Sequence, residues 1–352
     1  MLEDIITSIK PLDTTAMERC QLRLDNLTKP LNSLHYFEHI ARQLAGITGN
    51  PRPSGLEKSI IIMAADNGVA AEFAWDNRQL TTAQKLHRFS QGKSIINVLA
   101  GHAQAKPLVI DIGVASDLPP FPGVRPEKIA YGTENMANGS AMTREQTMRA
   151  IALGITIARE QIAQGVQIIG LGEMGMAGNL PGLAIAACYG APLAADWEEK
   201  TCAIVRQALQ VNHPDKQNPL DMLTKVGSLA IAGLVGVILG AASERAAVVL
   251  DGVASGAAAL LAVKIAPQAK EYLIGSHFAA EPGHAAILTL LDLPAYLKLA
   301  MNVGEGTGAA MGMSLLKASL HVLSDMKTFG EAEVAVAQDG PGALKQNKSV
   351  RG

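Results

Sequence analysis

The chain has 352 residues, 48% of them hydrophobic and only 4% aromatic, so aliphatic side chains and alanine must fill its core. Lys and Arg number 30 against 32 Asp and Glu, a net charge of -2 that leaves no electrostatic footprint for nucleic acid. Cys20, Cys188 and Cys202 show no CxxC spacing, which argues against a disulfide framework or structural zinc and fits a reducing cytosol.

The start, "MLEDIITSIKPLD", carries acids and a lysine where a signal peptide needs an unbroken apolar core, so the expected location is cytoplasmic. Residues 1–56 read as helices interrupted by Pro11, Pro30, Pro51 and Pro53, without a buried strand. Apolar runs then alternate with helical patterns. The runs are "SIIIMAADNG", "PLVIDIGV", "VQIIGLGEMG", "AAVVLDGVASG" and "EYLIGSH", apolar on both faces as covered parallel strands are. Between two of them, "TREQTMRAIALGITIAREQIAQG" opens on a capping-box pattern, Thr143 with Gln146, and has Gly165 past its end. The run "LAIAGLVGVILGAA" is too short and glycine-rich to span a bilayer and reads as a buried helix; no membrane partner is expected. The tail "AQDGPGALKQNKSVRG" reads as loose. The expected fold is α/β, a doubly wound, mostly parallel sheet with helices on both faces over residues 57–326. Residues 1–56 and about 327–352 are expected to form a small helical domain.

Asp66, Asn67, Asp111, Glu173, Asp251 and His277 all fall at carboxyl ends of these runs, the edge where open α/β sheets bind ligands. For any one of them the plain alternative is a core residue satisfying backbone amides. "GEGTGAAMG" lacks the GK[ST] of a phosphate loop, and in "GLGEMGMAG" the Glu173 carboxylate would repel a pyrophosphate. In "SHFAAEPGH", Pro282 and Gly283 break the helix on which His277, Glu281 and His284 would form a zinc face, so no metal is expected. Glu305 stands out: a carboxylate between Gly304 and Gly306, at the start of a helix, where glycines admit a flat or bulky ligand. Its plain alternative is a helix N-terminal acid satisfied by its own backbone.

Taken together, "LDNLTKPLNSLHYFEHIARQLA", "AADNGVAAE", "GTENMANGSAMTREQ", "GLGEMGMAGN", "VVLDGVASGAAALLA", "SHFAAEPGH", "MNVGEGTGAAMG" and "HVLSDMKTFGEAEV" resemble, in collinear order, the nicotinate-nucleotide:dimethylbenzimidazole phosphoribosyltransferases of cobamide lower-ligand synthesis. The resemblance implies a dimer with a parallel-sheet large domain and a small helical domain. It implies transfer of ribose phosphate from nicotinate mononucleotide to an aromatic base, with inversion to an α-riboside 5'-phosphate and release of nicotinate. Glu305 would be the general base, taking the N–H proton of a benzimidazole. Departing nicotinate keeps the bonding electrons, so no cofactor is implied. Glu173, Met174, Gly175, Gly304, Gly306, Trp75, Gln84 and Asp251 are the expected substrate-binding residues.

The chain also departs from the family pattern. The usual "GEMGIGNTT" reads "GEMGMAGNLPG", with Leu180 and Pro181 in place of hydroxyl residues. A "GRGTG" segment is absent, a serine gives way to Ala279, "DHG" reads Asp66-Asn67-Gly68, and Asn302-Val303 replaces "RL". The base-pocket segment, usually "SAYPQEVTAQM", reads "WDNRQLTTAQK" from Trp75 to Lys85. Groups suited to holding a ribose phosphate are thus lost while the carboxylate persists. Some family members work as heterodimers of two paralogues, one of which carries the activity, as in the enzyme that activates phenol and p-cresol. Two expectations follow. The favoured one is a degenerate partner of a catalytic paralogue, lending its Leu27–Glu38 segment to the other subunit's cleft; the other is a self-sufficient homodimeric enzyme using Glu305. Either way the substrates are nicotinate mononucleotide and a benzimidazole- or phenol-type acceptor.

Overall fold

Six parallel strands form one sheet: β1 (Glu57–Ala65), β2 (Lys106–Gly113), β3 (Val124–Pro126), β4 (Val166–Met174), β5 (Ala247–Val249) and β6 (Leu273–Ile274), in the order β3-β2-β1-β4-β5-β6. The computed structural model describes residues 2–73, 80–193 and 197–351. From Ser59 onward every residue of β1 is buried, as an unbroken apolar run in a sheet covered by helices requires. Each parallel pairing needs a crossover, and helices supply it in every long connection. The expected doubly wound α/β architecture holds, with one strand the apolar runs did not mark. That strand, β3, is three residues long and pairs with β2 through Val109↔Val124 and its two neighbours.

The helix Arg144–Ala163 begins at the expected capping box, in which Thr143 and Gln146 bond reciprocally. It lies against the helix Leu229–Ser243, buried along its length except at Ser243. Small residues make this contact close. A Cβ on Gly154 would sit 2.0 Å from the Gly233 carbonyl oxygen, and one on Gly236 would sit 2.1 Å from that of Ile151.

The chain divides into two units. One comprises residues up to Lys10 together with Glu57–Gly312, and carries the sheet; the other comprises Pro11–Leu56 and Met313–Gly352. The division differs from the boundaries read off the sequence: the first helix, Leu2–Ser8, counts with the sheet, and most of the helix Thr307–Asp325 counts with the helical unit. The helical unit buries Cys20, Leu24, Leu27, Ala41, Ala45 and Leu323. Two of its buried cations are paired: Arg23 donates to the carbonyls of Leu323 and Met326 and pairs with Glu331 at 3.1 Å, while Lys29 pairs with Glu38 at 2.8 Å. The tail expected to be loose is tied down. Gly340–Lys345 forms a helix, Asn26 bonds the Lys345 carbonyl and the Asn347 amide, and the Gln346 side chain donates to the Lys29 carbonyl. These polar ties have no periodic signature, which is why composition alone read the segment as free.

Candidate active site

Strand order reverses at β1, which has β2 and β3 on one side and β4, β5 and β6 on the other. The carboxyl ends of β1 and β4 therefore form the switch point at which open α/β sheets leave a crevice. Met63 pairs in register with Glu173 and Ala64 with Met174, so Glu173 stands at that point.

The Gly304–Gly308 segment descends onto it. Glu305 donates its N–H to the Glu173 carbonyl at 3.2 Å, and a Cβ on Gly172 would meet the Gly306 nitrogen at 2.7 Å. Gly304, Glu305 and Gly306 have φ of 69°, 60° and 82°, all left-handed. Glycine adopts this freely, whereas for glutamate it is a strained conformation that the surroundings must enforce. Asp251, in the loop after β5, enforces it: its carboxylate accepts the N–H of Gly306 at 2.9 Å and of Gly308 at 2.7 Å. These are amides at the start of the helix Thr307–Asp325, capped here by a residue more than fifty positions away instead of by a neighbour. The plain alternative for Glu305, satisfaction by its own helix start, is thus filled by Asp251.

Glu305 faces a cavity of about 750 Å³, lined also by Glu173, Gly175, Gly304, Lys85 and Trp197. Lys85 Nζ lies 3.4 Å from Glu305 Oε1. Lys85 reaches this place because its helix, Thr82–Ser90, is anchored: the Thr82 hydroxyl donates to Asp66, which also accepts the amides of Ala115 and Met176 at 2.9 and 3.1 Å. Glu173 is half-buried, with Oε1 itself shielded from solvent and lacking a hydrogen-bond partner among the described residues. Burial pushes its carboxyl up to about 8; Lys85 opposes this, and Glu281, Glu305 and Asp66 reinforce it. At neutral pH Glu173 is therefore largely protonated and able to donate a hydrogen bond into the cavity. Glu281 is likewise raised by burial, although its Oε2 accepts the Val253 amide at 2.7 Å. Burial also lifts Asp251 to about 6 against the amides that hold it.

Of the expected binding residues, Glu173, Gly175, Gly304 and Glu305 come together on the cavity wall. Met174 is buried in β4 and lies behind that wall. Gly306 packs toward Ile60, and Asp251 acts on the loop instead of facing the main cavity. Gln84 is exposed and spent on the capping box with Thr81, so it does not line the cavity. Trp75 lies outside the described residues. Asp111 is used structurally, pairing with Lys128 at 3.0 Å, and His277 packs its ring against Gly308. His284 Nδ1 accepts the Ala279 amide, and burial drives its ring down to about 4. The sequence reading missed Lys85, Glu198, Trp197 and Glu281 as cavity residues. Lys85 had a signal, as the last residue of the departing Trp75–Lys85 segment, but a lone lysine on a helix reads as a solvated cation.

A profile of the phosphoribosyltransferase family matches residues 9–334. The nicotinate-nucleotide--dimethylbenzimidazole phosphoribosyltransferase of Chloroflexus aggregans is 43% identical over 95% of this chain and 98% of its own length. That of Geobacter metallireducens is 40% identical over 96% and 99%. Among solved structures, nicotinate-nucleotide-dimethylbenzimidazole phosphoribosyltransferase from Thermus thermophilus superimposes with a TM-score of 0.85 at 36% identity, covering 92% of this chain and 99% of that one. Sequence, fold and the glycine-flanked glutamate at the switch point agree: the chain belongs to the nicotinate-nucleotide–dimethylbenzimidazole phosphoribosyltransferase family.

Proposed function

We propose that the chain transfers ribose 5'-phosphate from nicotinate mononucleotide to an aromatic base, with Glu305 as general base, in making the lower ligand of a cobamide. One observation carries this reading: a glutamate is held in a left-handed turn by Asp251 and the Glu173 carbonyl, with its carboxylate facing a cavity of about 750 Å³. Strain maintained by that many contacts is typical of a functional position. Glu305 accepts the acceptor's proton as the acceptor attacks the anomeric carbon, and the C–N bonding pair leaves with nicotinate. Protonated Glu173, with its unpartnered oxygen, donates a hydrogen bond to a substrate oxygen at the same place. Nicotinate release by the purified chain, given nicotinate mononucleotide and benzimidazole, tests the proposal. Glu305→Gln is expected to reduce turnover by at least about a hundredfold, the scale of a positioned acid–base group, while binding persists. Undiminished turnover in that variant overturns the assignment.

A second reading, a degenerate partner that completes a catalytic paralogue, draws support from the cavity wall. Glu173, Glu198, Glu281 and Glu305 face a single lysine there among the described residues, and Leu180 takes a place suited to a hydroxyl. A dianionic phosphate gains little from such a wall. Under this reading the Leu27–Glu38 segment completes the paralogue's cleft. Turnover by the chain alone rejects it; turnover only on co-expression with a paralogue, unaffected by Glu305→Gln, favours it.

A further inference from the structure

The cavity places an ammonium beside the carboxylate that must accept the acceptor's proton: Lys85 Nζ is 3.4 Å from Glu305 Oε1, and the two side chains are 30% and 13% exposed. Lys85 is the only lysine or arginine lining the cavity among the described residues. Its helix is anchored at the first turn by the Thr82–Asp66 bond and the Thr81–Gln84 capping box. For a neutral acceptor whose N–H must approach Glu305, this cation is a competitor for the same oxygen.

We propose that Lys85 is a specificity-determining residue: once Glu305 has taken the acceptor's proton, the ammonium loses its carboxylate partner and stabilises the attacking atom, favouring acceptors deprotonated at that same atom. The inference rests on Glu305 acting as the base. An azole attacks through one ring nitrogen and sheds its proton from the other, so the attacking atom and the proton lie apart. A phenolic hydroxyl, of the tyrosine type, attacks with the atom that is deprotonated. Its O–H electrons stay on oxygen and form the bond to the anomeric carbon, the proton goes to Glu305, and the pair of the breaking C–N bond departs with nicotinate. Negative charge on that oxygen develops beside both Glu305 and Lys85. Electrostatic stabilisation by a fixed charge is strongest where charge appears only during reaction. The titratable groups lining the cavity among the described residues are the carboxyls of Glu173, Glu198, Glu281 and Glu305, with Lys85 opposing them and Asp66 acting on Glu173 from outside the wall.

The test compares wild type with Lys85→Met and Lys85→Arg, using phenol and benzimidazole as competing acceptors. Lys85→Met is expected to lower kcat/KM for phenol about tenfold more than for benzimidazole, a partly exposed cation giving less than a buried donor would. Lys85→Arg is expected to recover most of that loss. A second readout is independent of turnover: the yellow phenolate absorbance of 4-nitrophenol at saturating protein, followed against pH. Bound 4-nitrophenol is expected to ionise at lower pH in wild type than in Lys85→Met, and at lower pH still in Glu305→Gln, where the ammonium is unopposed. Equal loss with both acceptors, or identical titrations in wild type and Lys85→Met, overturns the role of Lys85. Undiminished turnover in Glu305→Gln instead strikes the proposed function, and the titration still decides about Lys85.

Discussion

Glu173 and Glu305 are both carboxyls at one strand end, yet their surroundings assign them different work. Glu305 sits beside an ammonium at 3.4 Å, so its glycine-flanked setting is partly ionic. It is Glu173 that burial has stripped of its charge, lifting it from an ordinary 4.5 to about 8. That shift is a statement about stability. The folded chain retains a proton that the unfolded chain releases, so the contribution of Glu173 is full below about 4.5 and is lost as pH rises through about 8. Asp251, raised to about 6, acts in the same sense at lower pH, whereas His284, depressed from 6.5 to about 4, acts in the opposite sense. The window in which Glu173 dominates these three is therefore between about 6.5 and 8. Across it the melting temperature of wild type is expected to fall, and Glu173→Gln, which keeps the shape without the titration, is expected to show a flatter profile. Equal slopes in calorimetry would remove the buried-acid assignment.

At the scale of elements, the site depends on one loop being held in a conformation its own sequence does not favour. Asp251 supplies the acceptors for the Gly306 and Gly308 amides, and Asp251→Asn turns one of those acceptors into a donor facing an amide. The expected outcome is a loss of about 1–3 kcal/mol in denaturant unfolding, the penalty of an unsatisfied buried group, together with loss of turnover through displacement of Glu305. Retained stability with intact turnover would show the loop to be self-supporting. The sheet's helical cover has a comparable dependence. A Cβ at Gly236 would lie 2.1 Å from the Ile151 carbonyl oxygen, so Gly236→Ala must push apart the helices Arg144–Ala163 and Leu229–Ser243. Overpacking of this kind costs about 1–3 kcal/mol or more, and is expected to appear as a lower melting temperature.

For the whole molecule, a cavity wall that bears four glutamates and one lysine among the described residues opposes the approach of a dianionic donor. If the chain binds nicotinate mononucleotide by itself, calorimetric titration is expected to show affinity that strengthens as pH falls through about 8, because Glu173 takes up its proton and one negative charge leaves the wall. A pH-independent affinity, or saturable binding appearing only with a second polypeptide, would place the phosphate-holding groups elsewhere. Light scattering of the chain alone and after co-expression with a paralogue distinguishes the homodimeric from the heterodimeric assembly.

Much was legible in the amino acids themselves. All five apolar runs begin within about two residues of a strand's start, the capping box at Thr143 opened its helix, and the glycines around Glu305 marked a turn that only special backbone angles could make. Such signals are local: period, capping and turn chemistry act over a few residues. The three-residue β3 and the anchored tail escaped because pairing with β2 and hydrogen bonds from Asn26 depend on residues far off in the chain. The roles of the site residues escaped for the same reason. Asp251 looked like a ligand group until its distance to two amides made it a clamp, and Lys85 looked like a solvated cation until the connection from β1 to β2 brought it to Glu305. Charge and hydrogen bonding act through space, so only the folded chain decides which carboxyl keeps its proton and which one meets a lysine.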